Sequence, residues 1–479
     1  MNSIMPPIPA AWVCHTFLMD EGLPSKIAAE FVEDTIVAIS TPAGRGGIGI
    51  VRLSGERAQE IAEGLVRVSH PLAAGRARFG HLVDPQSGTV LDEIVVTLFE
   101  APHSYTTEDV VEIATHGSPV LLEHTVRRAI EAGARLAEPG EFTERAFLAG
   151  RLDLTQAEAV RDLIDASTLH QARIAAQQLG GGLSRQIAPV KQRLVELIAG
   201  LEAGVDFAED DIDTMAAGEI STRLAEIETP LRELERSFGY GRIVHDGLRL
   251  TIVGRPNAGK SSLFNRLVER DRAIVTATPG TTRDLVTERV SIEGIPVELI
   301  DTAGLREASD EAETIGIAKS REAMAEADLV LVVIDASDVF HPEDKATVEA
   351  LGDRPALVAA NKIDLADTRR IVEMHAVVVQ TSALTGEGIP ELRRAIVDAA
   401  TKGTPSSETA LVTNLRQSRA IIQALAALDK AGEASASGIP HEMILLDLYE
   451  ALGSLDALTG TTTTEDILRL IFSSFCIGK

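Results

Sequence analysis

A glycine-rich stretch ending in lysine and serine is the first part of the chain whose residue types and spacing could do chemistry. Residues 254–261 read Gly-Arg-Pro-Asn-Ala-Gly-Lys-Ser and match the pattern GxxxxGK[ST]. The stretch follows the strand-like run 250–253 and opens a helical pattern, so loop amides and a helix N-terminus would face phosphate oxygens. Lys260 would add a positive charge at the β and γ phosphates, and the Ser261 hydroxyl could bind Mg²⁺. The pattern predicts a nucleoside triphosphate site.

Three later segments indicate that the base is guanine. They are Asp301-Thr302-Ala303-Gly304, Asn361-Lys362-Ile363-Asp364 and Ser382-Ala383-Leu384. Asp301 can hold Mg²⁺ through water, and Gly304 lets the backbone approach the γ-phosphate. The Asp364 carboxylate can accept both N1–H and N2–H of guanine, which adenine does not offer, so an unpaired Asp364 would reject ATP. The 382–384 loop is expected to close over the base.

A threonine-rich segment between the phosphate loop and Asp301 completes the predicted nucleotide site. Gly280-Thr281-Thr282-Arg283-Asp284 supplies a threonine for Mg²⁺ and the γ-phosphate. The side-chain carbonyl of Asn257 offers a ligand for a monovalent cation, which would neutralise charge that develops during phosphoryl transfer. Together the segments resemble the translation-factor-like class of P-loop GTPases and predict GTP binding. The remaining predicted nucleotide contacts are Ala258, Gly259, Ser262, Thr276, Ala277, Thr278 and Pro279.

The residues alone leave open which group orients the attacking water. Many GTPases use a glutamine just after the DxxG segment, whereas this chain has Leu305, which cannot form a hydrogen bond. The next segment, 306–313, is rich in carboxylates. Any one of them could position the water, or the segment could be a solvated acidic loop. The sequence also assigns no arginine as a charge-neutralising finger.

The elements that must position these residues fall into four regions. Residues 1–33 are an extension expected to be disordered, and 34–150 mix strand-like runs with a helical stretch, as in an α+β domain. Amphipathic helical stripes occupy 151–246 and return within 404–479, while 247–403 alternate helices with short apolar runs typical of buried parallel strands. We expect an α/β P-loop GTPase domain inserted into one all-helical domain and preceded by an α+β domain. Two separate helical domains would also fit.

The composition excludes several classes of protein. The 479-residue chain has 45 lysines and arginines against 72 aspartates and glutamates, a net charge of −27, so a broad basic face for nucleic acid is not expected. The two cysteines, Cys14 and Cys476, cannot build a disulfide framework or a zinc cluster, which suits a reducing cytoplasm. No apolar run is long enough to span a membrane. We therefore expect a cytoplasmic protein.

Signatures outside the nucleotide motifs resemble the MnmE (TrmE) family of tRNA-modification GTPases. The resemblance runs from about residue 34 to residue 479. Its signatures are TPAGRGGIGI at 41–50, PGEFTERAFL at 139–148, QAEA at 156–159, LIDA at 163–166 and FCIGK at 475–479. The family implies addition of a carboxymethylaminomethyl-type group at C5 of the tRNA wobble uridine (position 34). A tetrahydrofolate derivative supplies one carbon, and the flavin-dependent MnmG (GidA) is the partner.

The resemblance also implies cofactor sites. A homodimer joined through its N-terminal domains would bind 5-formyl- or 5,10-methylene-tetrahydrofolate in those domains. The implied folate contacts fall on Arg52, Glu112, Arg151 and Lys479. One member of the family has lysine at the position of Arg151, and the two cations differ in geometry. The implied potassium ligands are the side chains of Asn257 and Thr281 with the carbonyls of Thr276 and Thr278.

The resemblance further assigns the catalytic groups and the assembly. Ser261 and Thr282 would bind Mg²⁺, and Glu313 would orient the water while Lys260 acts on the phosphates. The partner would join a heterotetramer-type complex and hold most of the tRNA, in keeping with the −27 charge of this chain. Cys476 is either a catalytic thiol or a small buried hydrophobic residue.

A dinucleotide-binding fold and two other functions are alternatives to this interpretation. Residues 44–49 satisfy GxGxxG, yet the chain continues as a strand after them, so a dinucleotide-binding fold is not expected. A ribosome-assembly or regulatory GTPase switch without tRNA chemistry would share the nucleotide motifs but not the N-terminal and C-terminal signatures. A folate-dependent transferase whose GTPase only gates domain motion is the other alternative.

Overall fold

The computed structural model describes residues 34–206, 215–268, 286–301, 324–365, 377–401, 411–461, 468 and 471–478. The predicted extension, 1–33, lies outside these ranges. The chain divides into two compact units, with the break after Ala149 and the residues from Cys476 onward grouped with the N-terminal unit. The C-terminal tail, which the predicted boundaries place in the helical domain, therefore belongs to the N-terminal unit.

The N-terminal unit is built on a seven-stranded sheet. Its strands are β1 (Ile36–Ile39), β2 (Gly46–Ser54), β3 (Val66–Val68), β4 (Ala77–Val83), β5 (Val90–Phe99), β6 (Val110–Gly117) and β7 (Arg135–Leu136). They lie in the order β3-β4-β5-β6-β2-β1-β7. Neighbours pair antiparallel, except that β1 and β7 are parallel. The predicted α+β class is confirmed for this unit.

Helices cover both faces of the β1 strand. The helices of this unit are α1 (Ala58–Leu65), α2 (Pro119–Glu131) and α3 (Glu141–Leu148). Val37 packs into a core shared with α1 and α2. Its neighbours Ile36 and Ala38 pack into a second core with Phe142 of α3. Because side chains alternate along a strand, β1 is buried on both sides, as its short apolar sequence predicts.

The glycine-rich segment 44–49 runs into a strand, as expected. β2 begins at Gly46 and pairs with β6, so that Gly46 lies opposite Gly117. A Cβ atom on Gly117 would lie 2.6 Å from the carbonyl oxygen of Gly46, which explains why this position of β6 is a glycine. No helix follows the glycines, and the GxGxxG match is therefore not a dinucleotide-binding motif.

A buried ion network explains the signature at 139–148. Arg145 and Glu141 on α3 are each about 96–98% buried, and Arg145 Nη2 donates to Glu141 at 2.9 Å and to Asp34 at 2.6 Å. Burial raises the pKa of the Glu141 carboxyl, but hydrogen bonds from Arg135, the Glu138 amide and Arg145 together outweigh it and leave that pKa below its usual value. The network ties α3 to the residue that precedes β1.

The second unit begins with four helices and continues into a six-stranded sheet. The helices are α4 (Leu154–Asp165), α5 (Leu169–Leu179), α6 (Gly182–Asp206) and α7 (Ala217–Asp246). The strands are β8 (Leu248–Val253), β9 (Val286–Ile292), β10 (Ile295–Asp301), β11 (Leu329–Asp335), β12 (Ala356–Asn361) and β13 (Val377–Gln380). They lie in the order β13-β12-β11-β8-β10-β9. Helices α8 (Lys260–Val268), α9 (Pro342–Glu349) and α10 (Ile389–Thr401) accompany them.

Five of these strands are parallel, as the short apolar runs predict. The sixth, β9, pairs antiparallel with β10 across a turn at Glu293 and Gly294, both with positive φ. Strand β9 was not predicted from the sequence, because its alternating pattern VTERVSI is typical of an edge strand and not of a buried one.

Two long helices in the described part of the chain follow the sheet. They are α11 (Leu415–Ala436) and α12 (His441–Thr459). Leucines of α6 and α7 share one apolar core with residues of α11 and α12. The helices before and after the α/β domain therefore form a single helical domain, and the predicted insertion is confirmed. No helix in the described part of the chain is long and apolar enough to cross a membrane.

Candidate guanine-nucleotide site

The phosphate loop connects the end of β8 to the start of α8. Two of its glycines are required by close approaches to neighbouring strands. A Cβ on Gly254 would lie 2.2 Å from the Val333 carbonyl oxygen, and one on Gly259 would lie 2.2 Å from Asn361 Nδ2. The loop therefore packs flat against the carboxyl ends of β11 and β12. This leaves its amides and the α8 N-terminus as donors for an anion.

Lys260, the first residue of α8, lies within this loop. Its side chain is mostly buried, and Nζ donates to the carbonyl oxygens of Gly254 at 2.9 Å and Arg255 at 2.8 Å. The backbone of the loop thus holds the ammonium beside the amides that would contact phosphate. An ammonium there acts as a fixed positive charge on a phosphoryl group.

Ser261, a predicted Mg²⁺ ligand, lies next to Asp301, which is predicted to hold the ion through water. Ser261 Oγ donates to Asp301 Oδ2 at 3.1 Å, and Asp301 is 5% exposed at the end of β10. A hydroxyl and a carboxylate are the hard oxygen ligands that Mg²⁺ prefers, directly or through water. Of the described residues, these two fit the ion, with the phosphates as its other partners.

Asn361 links three parts of the site. It is 1% exposed, its Nδ2 donates to the Ala258 carbonyl at 3.1 Å, and its Oδ1 accepts from the Ala383 amide at 3.0 Å. The asparagine at the end of β12 therefore joins the phosphate loop to the 382–384 loop. A buried amide with both ends satisfied is a rigid connection.

Asp364 lies beside the loop that is predicted to close over the base. Ser382 Oγ donates to Asp364 Oδ1 at 2.5 Å. The structure thus brings together the carboxylate and the 382–384 loop, as the sequence predicts for the two sides of a guanine pocket. The side chain of Asp364 retains acceptor capacity, because a carboxylate has about four lone-pair directions.

Two ion pairs around the site are not apparent from the motifs. Lys362 Nζ bonds Asp335 Oδ2 at 2.6 Å. Burial raises the pKa of the Asp335 carboxyl, but the bonds from Lys362 and Ser337 outweigh it and hold that pKa below its usual range. Arg255 Nε donates to the buried Asp344 of α9 at 2.9 Å. Asp335 ends an apolar strand and Asp344 lies in the first turn of a helix, positions where sequence gives no direct signal of a partner.

The N-terminal unit carries a second cluster that the sequence singles out. Arg52 on β2 donates through Nε and Nη2 to Glu112 Oε1 on the paired β6, at 3.0 and 2.7 Å. Its guanidinium also lies 5.7 Å from the Tyr105 ring centroid and 5.6 Å from that of Phe142. Two of the implied folate contacts are thus adjacent, between aromatic rings and only partly buried.

Comparison with known proteins covers nearly the whole chain. The protein-family model of the MnmE helical domain matches residues 154–476, and the family model of the GTP-binding protein TrmE N-terminus matches residues 35–151. The tRNA modification GTPase MnmE of Koribacter versatilis (strain Ellin345) is 58% identical over 452 residues, which are 94% of this chain and 100% of the relative. The protein of the same name from Acetivibrio thermocellus is 43% identical over 458 residues, with 94% and 100% covered.

The chain belongs to the MnmE family. It is therefore a GTPase, as predicted from the nucleotide motifs. Among solved structures, the G domain of the T. maritima FeoB iron transporter is 30% identical over 32% of this chain and 98% of its own, with a TM-score of 0.25. A score this low supports no structural argument.

The C-terminal signature of this MnmE chain lies in the N-terminal unit. Gly478 packs so closely that a Cβ would lie 2.3 Å from the Ile39 carbonyl oxygen, and its own carbonyl accepts from Ser40 Oγ at 3.1 Å. Ile477 forms a β-bridge with Pro139. Cys476 is a free and exposed thiol, so it is not a buried hydrophobic residue. Phe475, by contrast, is 7% exposed.

Several predicted site residues of the MnmE chain lie outside the described residues. They are Thr276, Ala277, Thr278, Pro279, Gly280, Thr281, Thr282, Thr302, Ala303, Gly304, Glu313 and Lys479. Asn257, the predicted potassium ligand that is described, is exposed and has a φ of 64°. Arg151, the remaining implied folate contact, lies in the second unit. The roles of all these residues remain predictions.

Proposed function

We propose that this MnmE chain is the GTP-hydrolysing component of the enzyme that modifies C5 of the tRNA wobble uridine. In this proposal it adds a carboxymethylaminomethyl-type group with a folate one-carbon unit, together with the flavoprotein MnmG (GidA). The observation that carries the proposal is family membership over 94% of the chain, combined with the Ser261–Asp301 pair beside a phosphate loop. A ribosome-assembly switch would leave the match to the TrmE N-terminus, 35–151, without a purpose.

The nucleotide site would hydrolyse GTP by fixed electrostatics. Lys260 and the loop amides would stabilise negative charge on the phosphoryl group, and Ser261 with Asp301 would hold Mg²⁺, which would supply further positive charge to the phosphates. Leu305 stands where many GTPases have the glutamine that orients water, so another group has to take that role, and by the family resemblance we assign it to Glu313. Potassium at Asn257 and at the predicted loop residues Thr276, Thr278 and Thr281 would add positive charge.

The N-terminal cluster supports the folate part of the proposal. The Arg52 guanidinium offers donors in a fixed plane, and Glu112 offers acceptors next to it. A pterin ring carries both amino donors and a keto acceptor, and the rings of Tyr105 and Phe142 flank the same guanidinium. The partly buried pair thus presents the two kinds of group that such a ring requires.

Partners follow from charge as well as from the family. A chain with a net charge of −27 would repel the phosphates of tRNA over most of its surface. We therefore assign most of the tRNA contact to the flavoprotein, in a heterotetramer-type complex with a homodimer of this chain. The cytoplasm is the proposed location.

Steady-state GTP hydrolysis in KCl against NaCl at equal ionic strength tests the proposal. We expect potassium to raise kcat by at least about tenfold, because a bound cation stabilises charge in the transition state. Asn257→Ala should abolish this difference. Asn265→Ala, an exposed asparagine on α8, is the matched control and should retain it. Equal rates in the two salts would contradict the cation site and favour the regulatory switch.

A further inference from the structure

We infer that Arg266 is a positioning residue for guanine recognition, which orients the 382–384 loop toward the O6 edge of the base. The inference deepens the nucleotide site and rests on guanine binding there. It does not depend on the tRNA, folate or potassium parts of the proposed function. Arg266 was not among the residues that the motifs single out.

Arg266 lies in the last turn of α8, the helix that begins with Lys260. Its Nε donates to the Ala383 carbonyl oxygen at 3.0 Å, and its Nη2 donates to the Leu384 carbonyl oxygen at 2.6 Å. One rigid helix therefore carries the phosphate lysine at one end and grips two successive carbonyls of the base loop at the other. The distance between phosphate and base contacts is set by that helix.

The two hydrogen bonds determine where the loop amides point. In a trans peptide the C=O of one residue and the N–H of the next lie on opposite sides of the plane. Because Arg266 holds the Ala383 carbonyl, the Leu384 N–H must point away from α8. The Ala383 and Thr385 amides are already donated, to Asn361 Oδ1 at 3.0 Å and Ser382 Oγ at 3.1 Å. Within the described residues the Leu384 amide has no acceptor, and Leu384 is 77% exposed.

The chemistry of guanine completes the argument. Ser382 holds the loop against Asp364, which is predicted to accept N1–H and N2–H. The O6 atom lies next to N1 on the same ring edge and needs a donor, which the Leu384 amide supplies. Adenine presents an amino group at that position, and two donors would then face each other. The Arg266 grip thus adds to guanine selectivity from the side opposite the N2 amino group.

Two analogues that each differ from GDP at one position of the base distinguish this role from a general effect on stability. We would measure Kd for GDP, IDP (which lacks the 2-amino group) and 6-thio-GDP (in which the weaker acceptor sulfur replaces O6). The assay is displacement of a fluorescent GDP analogue from the full-length chain. The variants are Arg266→Ala and Arg266→Lys. The control is Arg394→Ala, an exposed arginine of α10 paired with Glu391.

In Arg266→Ala we expect the affinity for GDP and for IDP to fall by about tenfold, the size typical of a hydrogen bond to an oriented donor. The preference for GDP over 6-thio-GDP should shrink towards one, while the preference for GDP over IDP stays as in the wild type. Arg266→Lys should be intermediate, because a lysine ammonium lacks the planar fork with which the guanidinium directs two N–H groups at separate carbonyls. Arg394→Ala should leave all three affinities unchanged.

Two results would overturn the inference. One is an equal loss of affinity for all three nucleotides, which would mean that Arg266 only stabilises the domain. The other is an unchanged preference for GDP over 6-thio-GDP in both variants. If Arg266→Ala does not fold, as judged by thermal unfolding, Arg266→Lys decides by the same comparison. If the wild-type chain did not bind GDP more tightly than IDP and 6-thio-GDP, that result would instead contradict the guanine site itself.

Discussion

At the scale of residues, the structure turns single predicted groups into pairs. Ser261 is bonded to Asp301, Asp364 to Ser382 and Asn361 to the Ala258 carbonyl. Each pair joins residues that are between 18 and 103 positions apart in the chain. The residue types were predictable because phosphate, magnesium and guanine each demand particular donors and acceptors.

Replacing Asp364 by asparagine should change the base that the site prefers. An amide presents one acceptor and one donor, which suits N1–H and O2 of xanthine, whereas guanine needs two acceptors. We expect Asp364→Asn to weaken GDP binding by about a hundredfold, as for the loss of charged hydrogen bonds, and to bind xanthosine diphosphate better than GDP. Titration calorimetry with both nucleotides measures this.

The exposed Asp353 provides the control for that substitution. Asp353→Asn should bind GDP like the wild type. If Asp364→Asn retained its preference for GDP over xanthosine diphosphate, Asp364 would not be the base-reading carboxylate, and another acceptor near the 382–384 loop would have to take that role.

His245 should make the stability of the second unit depend on pH. Its ring bonds Asp162 at 2.9 Å and Asp246 at 2.7 Å, and these two carboxylates, Asp162 first, raise its pKa to about 10. A folded-state pKa above the unfolded value of 6.5 gives stability that is complete below pH 6.5 and lost as the pH rises through about 10. We expect a loss on the order of 2 kcal/mol between about pH 6.5 and 9.

Urea unfolding of the wild type and His245→Gln across this pH range checks the prediction. The variant should show a flatter pH profile. Thr222→Val, an exposed substitution on the same helix that removes no titrating group, should keep the wild-type profile. Parallel profiles for the wild type and His245→Gln would show that the imidazolium does not titrate with folding.

At the scale of elements, the QAEA signature has a structural explanation. Glu158 on α4 accepts from Arg416 at 2.6 and 2.8 Å, from Asn414 at 3.0 Å and from Gln417 at 2.9 Å. The helix before the inserted domain is thus joined to the first turn of α11, which follows that domain. One carboxylate accepts four hydrogen bonds, so its loss leaves several donors unpaired.

Glu158→Gln should therefore destabilise the helical domain. We expect a loss of about 2 kcal/mol in the free energy of unfolding, because the partly buried Arg416 loses its counter-charge. Chemical unfolding followed by circular dichroism measures it. Glu226→Gln, on the exposed face of α7, is the control and should cost about 0.5 kcal/mol or less. Equal effects of the two substitutions would mean that Glu158 does not join the two helices energetically.

Helix stripes and buried strands were also predictable at this scale, whereas β9 was not. The parallel strands are buried on both faces and read as continuous apolar runs, so local sequence suffices. β9 is an edge strand with alternating polar residues, and only its pairing with β10 defines it. The Glu293–Gly294 turn is the one local signal, since both residues have positive φ.

At the scale of the whole molecule, charge should govern how the chain meets tRNA. A net charge of −27 works against the counterion release that drives nucleic-acid binding. We expect filter binding of the isolated chain to tRNA to give a Kd weaker than about 10⁻⁶ M near physiological salt. Addition of the flavoprotein should tighten it. Tight binding by the chain alone would contradict the assignment of tRNA to the partner.

The sequence alone was enough to predict binding of a guanine nucleotide and the order of the domains. Each nucleotide motif can be recognised from a short segment of sequence, because it binds a phosphate, a metal or a base with a few consecutive backbone groups and side chains. Family membership followed from signatures, and periodicity favoured an α/β insertion between helices without excluding two separate helical domains. The residues predicted to contact phosphate, magnesium and guanine, such as Lys260, Ser261 and Asp364, could be named before the structure was known.

The residues from distant parts of the chain that hold the site and the helices in place became apparent from the tertiary structure alone. Arg266 gripping the 383–384 carbonyls, Asp344 holding Arg255 and Glu158 joining α4 to α11 are contacts between elements far apart in sequence. It also decided that the C-terminal tail packs beside Ile39 and Ser40 of the N-terminal unit. The physical reason is that such pairs depend on register, helix orientation and burial, which arise only once the elements pack against one another.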